Sequence, residues 1–545
     1  MKNWSWSLFR LVFPLFLLCP FPSSGTGEGT TPPEEVSRQV DDYFDSVWQR
    51  EGIRPSADSS DAEFLRRVSL DIAGVIPKSQ EVLDFLRSRD RDKRTKKIEQ
   101  LLASEYYVRH WARLWGNLII GRDGQRRFQA IYRNASRPWL KEVFQKNMPY
   151  NDFARALITA SGSTQDNGAA VFVSKWGDTV ANITGTTTKL FMGVRVQCAE
   201  CHDHPFEDIS QDDFWGMAAF FSQTRRRQIR NDATPPRPIA MRVYDRKRGD
   251  VFLPDTKTKI EPKFLHGENP VTDRYGNRRE ALANWILSPD NKYFAQALVN
   301  RMWGHFFGAA FVNPIDDFNA TNLPSHPEIL ALLAEDFRQN GYDLKRMIRI
   351  IVNTDVYQQA SIFSRNNAED HQHYSRALMR PMSPEQLFYS LMRVTDYEET
   401  MKKVAKKQEE RMKKRMKEQG DEAMMGNGSF IDRVLERFTV VFENDEMGEA
   451  VDFTSTITQA LYLMNGDMSN ERIEGNRGTV AKILAKFESE TRRIEEIFLM
   501  TLSRLPSKAE LRLYSTYVRR LRGAQQAYED VFWVQINSSE FFFNH

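Results

Sequence analysis

Apolar residues recur along most of this chain at spacings of three and four, the pattern of helices that each bury one stripe. In VDDYFDSVWQREGI, Val40, Tyr43, Phe44 and Val47 share one face. AEFLRRVSLDIAGVIP reads as a second helix, stopped by Gly74 and Pro77. Ser79 opens a third, with Val82 and Leu83 in its stripe. KKIEQLLASEYYVRHWARLWGNLI continues with large aromatics, which predict core. Asn147-Met-Pro-Tyr150 breaks the run and NDFARALITA resumes it. Residues 161–184, rich in Ser, Gly, Thr and Asn around Trp176, predict a long loop of the kind that often carries function. DDFWGMAAFFSQ predicts an apolar helix closing a first helical domain near Thr224.

Residues 225–270 change character. Arg225–Arg227 and Arg246–Arg248 bracket a Pro-rich stretch, and RVYD and DVFLPD predict short strands. A basic linker or small β-insert is the plainer reading; a contact for phosphate or an acidic glycan is the sharper one. Helical periodicity returns at Arg278 with RREALANWILSPDN and YFAQALVNRMWGHFFGAAFV. Asp316, Asp317 and Pro324–Pro327 fall in a loop, and two amphipathic helices run on from Glu328. At 397–425 nearly every residue is charged or Met, which predicts a solvent-facing helical insertion. The expected fold is mainly α: two helical domains, 35–224 and 271–545, with an irregular, partly β connecting segment at 225–270.

Composition adds less. Hydrophobic residues are 41% and charged residues 27% of 545, a globular balance, and a net charge of +3 gives no argument for nucleic acid. The N-terminus says more. Lys2 and Arg10, an apolar run from Leu11 to Phe21 and small residues at Ser23-Ser24-Gly25 predict a secretory signal peptide over 1–25, with a leader at 26–34. The run is short for a bilayer span, so no transmembrane domain is expected beyond this signal segment. The expected location is the periplasm or cell surface. Cys19 leaves with the signal, and the mature chain keeps only Cys198 and Cys201.

Those two belong to Cys198-Ala-Glu-Cys201-His202. C-x-x-C-H is the attachment pattern of covalent haem c. Cys198 and Cys201 supply thioether links and His202 the axial nitrogen on the iron. His204 is two residues away and is expected to bond locally. Zinc is the alternative cofactor: Cys198, Cys201, His202 and His204 offer sulfur and nitrogen ligands, with His305 or Asp203 completing the set. Asp316 and Asp317 would then serve a hydrolase. A third reading is a Cys198–Cys201 disulfide stapling a cell-surface binding protein, although no thioredoxin-like βαβ pattern surrounds it. His305 in MWGHFFG and His326 in PSHPE are candidate distal ligands or active-site bases; a satisfied core histidine and a loop cap are the plain readings. So long a chain around one haem favours an oxidoreductase or electron-transfer partner over a bare carrier. Its partner would be a redox protein or a small-molecule or polymer substrate.

VQCAECHDHPFEDISQDDFWGMAAFF, FLRRVSLDIAGVIP, LLASEYYVRHWARLW and NMPYNDF resemble the planctomycete-type, cytochrome-c-associated domain of unknown function numbered 1549. LANWILSPDNKYFAQALVNRMWGHFFG, PSHPEILALLAEDF and VFWVQINSSEFFFNH resemble its partner domain numbered 1553. The resemblance covers most of the mature chain, in the usual order. It implies export and a haem. It names no reaction.

Overall fold

Ser60, Ser104, Ser210, Asp343 and Ser383 each accept a hydrogen bond from a backbone amide two or three residues on, and each begins a helix. The computed structural model describes residues 31–121, 126–265 except 206 and 233, 277–398, parts of 401–411, 430–442 and 478–545. The expected signal peptide, most of the expected leader and most of the stretch expected as a charged insertion lie outside the described residues. So do His266 and FTSTITQALYLMNGDM.

Among the described residues the fold is mainly α, with 22 helices and only short strands. The first ten helices are α1 Pro33–Glu51, α2 Asp61–Ala73, α3 Ser79–Arg87, α4 Lys93–Leu102, α5 Glu105–Ile120, α6 Arg126–Gln145, α7 Tyr150–Thr159, α8 Ala170–Trp176, α9 Val180–Met192 and α10 Gln211–Ala218. Six more are α11 Arg278–Ile286, α12 Lys292–Phe307, α13 Pro327–Gln339, α14 Leu344–Asn353, α15 Asp355–Gln358 and α16 Pro384–Val394. The last six are α17 Phe430–Phe442, α18 Thr479–Lys486, α19 Glu490–Leu502, α20 Lys508–Arg520, α21 Gln525–Ile536 and α22 Ser539–Phe542. None of the described helices is long and apolar enough to cross a membrane.

Four of the seven described strands, β2 to β5, fall at the connecting segment. β1 Gly162–Ser163, β2 Thr224–Arg230 and β3 Pro238–Asp245 form an antiparallel sheet in the order β1-β3-β2. β4 Val251–Phe252 pairs with β5 Lys259–Ile260, and β6 Arg380–Pro381 pairs with β7 Phe543–Asn544.

The expected loop at 161–184 is a correction. It holds α8 and most of the first half of α9. Polar composition hid them for two physical reasons. Ala170–Ser174 is buried on every side, so α8 shows no alternation. In α9 the Thr184 and Thr188 hydroxyls donate to the carbonyls of Val180 and Thr184, so threonine is satisfied inside the helix.

Pro32–His545 is one compact unit, and one buried hydrophobic cluster runs from Val36 to Phe541. The sequence segments 35–224 and 271–545 therefore share a core. α2 shows how. It is buried from Phe64 to Ala73 although it carries two arginines and an aspartate. Arg66 donates to the carbonyls of Thr501 and Phe541, and Arg67 to those of Tyr357 and Gln359. Asp71, 1% exposed, accepts from Arg380 at 2.9 and 3.0 Å, from the Tyr357 hydroxyl at 2.8 Å and from Asn544 at 2.7 Å. Buried charges persist only when paired in this way.

Candidate functional site

The C-x-x-C-H stretch lies between the end of α9 and the start of α10. Gly193 ends α9 at φ 66°, where a side chain would collide with the Phe318 ring. Its carbonyl accepts from Phe318 N at 2.9 Å, which ties this corner to the loop after α12. The chain then makes one 3-10 turn over Gln197–Glu200. Cys198 lies in this turn and Cys201 caps its end. Gly185 leaves room on α9 for the Gln197 side chain, which a Cβ would strike.

The first turn of α10 clamps residues 200–209. Gln211 Nε2 and Trp215 Nε1 both donate to the Glu200 carbonyl, at 3.0 and 3.1 Å. Asp203 Oδ1 accepts from Gln211 N at 2.8 Å, and His204 N donates to Ile209 O at 2.8 Å. On the other side, Glu207 accepts from Ala320 N at 2.6 Å. The motif is thus held by its neighbours while its reactive groups stay out in solvent. Cys198, Cys201 and His202 are all exposed, and both cysteines are free thiols.

His202 Nδ1 lies 2.7 Å from the Asp203 carbonyl. A carbonyl only accepts, so Nδ1 is the donor, and the neutral ring in this tautomer has its lone pair on Nε2. A metal-ligating histidine is oriented in the same way, by its other ring nitrogen. Two accessible thiols on one turn and a histidine with Nε2 free fit the demands of a covalently bound haem. Among the described residues no three His, Cys, Asp or Glu side chains converge as a metal cluster. Cys198, Cys201, His202 and His204 are therefore not gathered about one point.

The other candidates sit elsewhere. His305, on α12, is half-buried: its Nε2 faces the Asp71 carbonyl at 3.2 Å and its ring packs on His110, Trp111 and Phe306. Burial pushes its pKa down, with Arg380 adding to the effect and Asp71 opposing it. His326 precedes α13 and uses both ring nitrogens, Nδ1 with the Tyr43 hydroxyl at 3.2 Å and Nε2 with the Gln372 carbonyl at 2.9 Å. Asp316 pairs with Arg301, and Asp317 with Arg195 at 3.7 Å. Arg195 lies three residues before Cys198, so these aspartates brace the motif's approach. The Asp203 carbonyl went unnoticed in the sequence because a backbone group carries no side-chain signal.

Residues 39–226 match the family described as PSCyt2, a protein of unknown function (DUF1549). Residues 278–518 match the family described as PSD1, a protein of unknown function (DUF1553). No curated protein and no solved structure matches the chain. The C-x-x-C-H turn falls in the first segment and its bracing aspartates in the second, and the chain belongs to the proteins that join a DUF1549 domain to a DUF1553 domain.

Proposed function

We propose that this is an exported c-type haem protein that acts as an oxidoreductase or electron-transfer partner. The observation that carries the reading is the His202 Nδ1 contact to the Asp203 carbonyl beside two exposed free thiols. Cys198 and Cys201 would each add S–H across a vinyl double bond, a step that needs no further oxidant. His202 Nε2 would hold the iron, and the Nδ1 contact to the Asp203 carbonyl would orient the ring and select the tautomer that leaves Nε2 for the metal. A haem bound here supplies one-electron redox chemistry. The α10 clamp keeps the turn rigid, so the geometry need not be rebuilt at each electron transfer. Exposure of all three residues favours exchange with a partner surface over chemistry in a sealed pocket.

The test is an absorption spectrum of the protein exported from a host with cytochrome c maturation, with a pyridine haemochrome assay on acid-acetone-extracted material. The expected result is a covalent c-type signal that Cys201→Ser alters and Cys198→Ser/Cys201→Ser abolishes. His202→Ala is expected to keep the pigment and change the spin state. A colourless protein that retains stoichiometric zinc would sink the haem reading in favour of the metallohydrolase. A colourless, metal-free protein would leave a binding protein.

A further inference from the structure

The β2–β3 hairpin carries a charge density unlike the rest of the chain. Between Arg225 and Arg248 there are nine Arg and Lys against Asp232 and Asp245, a local net of +7 in a chain whose total is +3. Asp245 is already spent. It holds the buried Arg279, whose guanidinium also donates to the Ile158 and Ala160 carbonyls. Three of the arginines are committed locally: Arg225 to the Ser222 and Thr224 carbonyls, Arg226 to Ser174 O and Arg230 to Gln228. Arg227, Arg237, Arg242, Arg246, Lys247 and Arg248 are exposed and have no side-chain partner among the described residues.

Register sharpens the point. Arg227 on β2 stands directly opposite Arg242 on β3. Like charges at such a position, with Cβ atoms about 5 Å apart, work against the sheet. Charge on an edge strand is a common guard against aggregation, and that accounts for β2. It does not account for Arg242, because β3 is the central strand of β1-β3-β2. The unrelieved pair is explained if an anion bridges it.

We infer that this hairpin is a binding surface for an anionic polysaccharide, one whose sulfate or carboxylate groups the Arg227–Arg242 pair grips. Guanidinium forks match both groups in bidentate geometry. Two other classes of partner fit less well. A stable protein interface has an apolar centre, and no large apolar side chain between 224 and 250 is exposed. Single-stranded nucleic acid needs aromatic platforms, and the sole aromatic in that stretch, Tyr244, is half-buried. This surface is independent of the C-x-x-C-H turn and its haem.

The experiment titrates the full chain with dextran sulfate, polygalacturonate, neutral dextran and a random-sequence DNA duplex at two salt concentrations. Dextran sulfate or polygalacturonate is expected to bind, more weakly at the higher salt, and which of the two binds tighter identifies the anionic group. Neutral dextran is expected not to bind. Arg227→Glu/Arg242→Glu is expected to lower that affinity about tenfold or more. Arg512→Glu/Arg520→Glu, an equal double charge reversal at exposed positions on α20, is expected to leave it unchanged. Arg227→Glu alone places opposite charges face to face, so its Tm is expected to match or exceed that of the parent while binding falls. Arg227→Gln/Arg242→Gln serves if the double reversal fails to fold. Binding that survives both double variants, polysaccharides that bind no better than neutral dextran, or DNA that outcompetes both polyanions would overturn the inference.

Discussion

Gly74 ends α2 at φ 66°, and a Cβ there would run into the His110 ring. Two costs therefore meet at one position. The left-handed backbone disfavours any other residue by about 1–2 kcal/mol, and the collision adds to it. Gly74→Ala is expected to lower stability by about 2 kcal/mol or more in urea denaturation; an unchanged midpoint would show that the α2–α5 contact yields freely. The glycine was legible as a helix stop. What it shelters was not, because His110 is distant in sequence and reads as one more member of an aromatic stripe. The candidate site divides in the same way. Cys198, Cys201 and His202 stand out through spacing alone, whereas the proton on His202 Nδ1 is set by a backbone carbonyl. What the sequence does not reveal about the candidates His305 and His326 is that His305 Nε2 and both ring nitrogens of His326 have partners within the fold.

Among elements, α1 and α15 meet through a carboxyl group. Asp41 on α1 accepts from Val356 N at 3.3 Å, in the first turn of α15. Burial pushes its pKa up to about 7; the backbone bonds oppose this, and the nearby Asp355 and Asp45 add to it. A carboxyl whose folded pKa exceeds its unfolded value near 3.9 favours the fold at low pH, and that contribution is lost as pH climbs through 7. Asp41→Asn keeps a neutral group at every pH. Relative to the parent its Tm is therefore expected to be higher at pH 8 than at pH 5. An equal difference at both pH values would place the Asp41 pKa in the ordinary range. Most helices were legible from their stripes because one face met water. The exceptions are α8, whose Ala170–Ser174 run is buried on all sides and so shows no periodicity, and α9, whose buried face carries Thr184, Thr187 and Thr188 where apolar residues are expected. β2 was read as part of a basic linker because TRRRQIR lacks alternation; its partner β3 supplies the buried Met241 and Val243 instead.

On the scale of the whole molecule, Asp71 joins parts of the chain that sequence pattern assigns to different segments. Its partners Tyr357, Arg380 and Asn544 all come from beyond residue 350. Asp71→Ala strands the Arg380 guanidinium and two neutral donors in the interior, and is expected to cost about 3–5 kcal/mol. Chemical denaturation of variant and parent tests this, and a cost below about 1 kcal/mol would mean that water enters and replaces the carboxylate. Local pattern did not show this junction, since FLRRVSLD looks like an ordinary amphipathic helix until its charges are found indoors. The same arrangement sets an order of events during synthesis. When α2 leaves the ribosome, the carbonyls that will receive Arg66 and the amide that will receive Asp71 do not yet exist. Those charges stay hydrated, and the helix cannot enter its final place until Phe541 and Asn544 have been made. A ribosome that stalls short of these residues would thus release a chain open at α2 as well as at its end. Such a product would be recognisable by early proteolytic cleavage around residues 61–73.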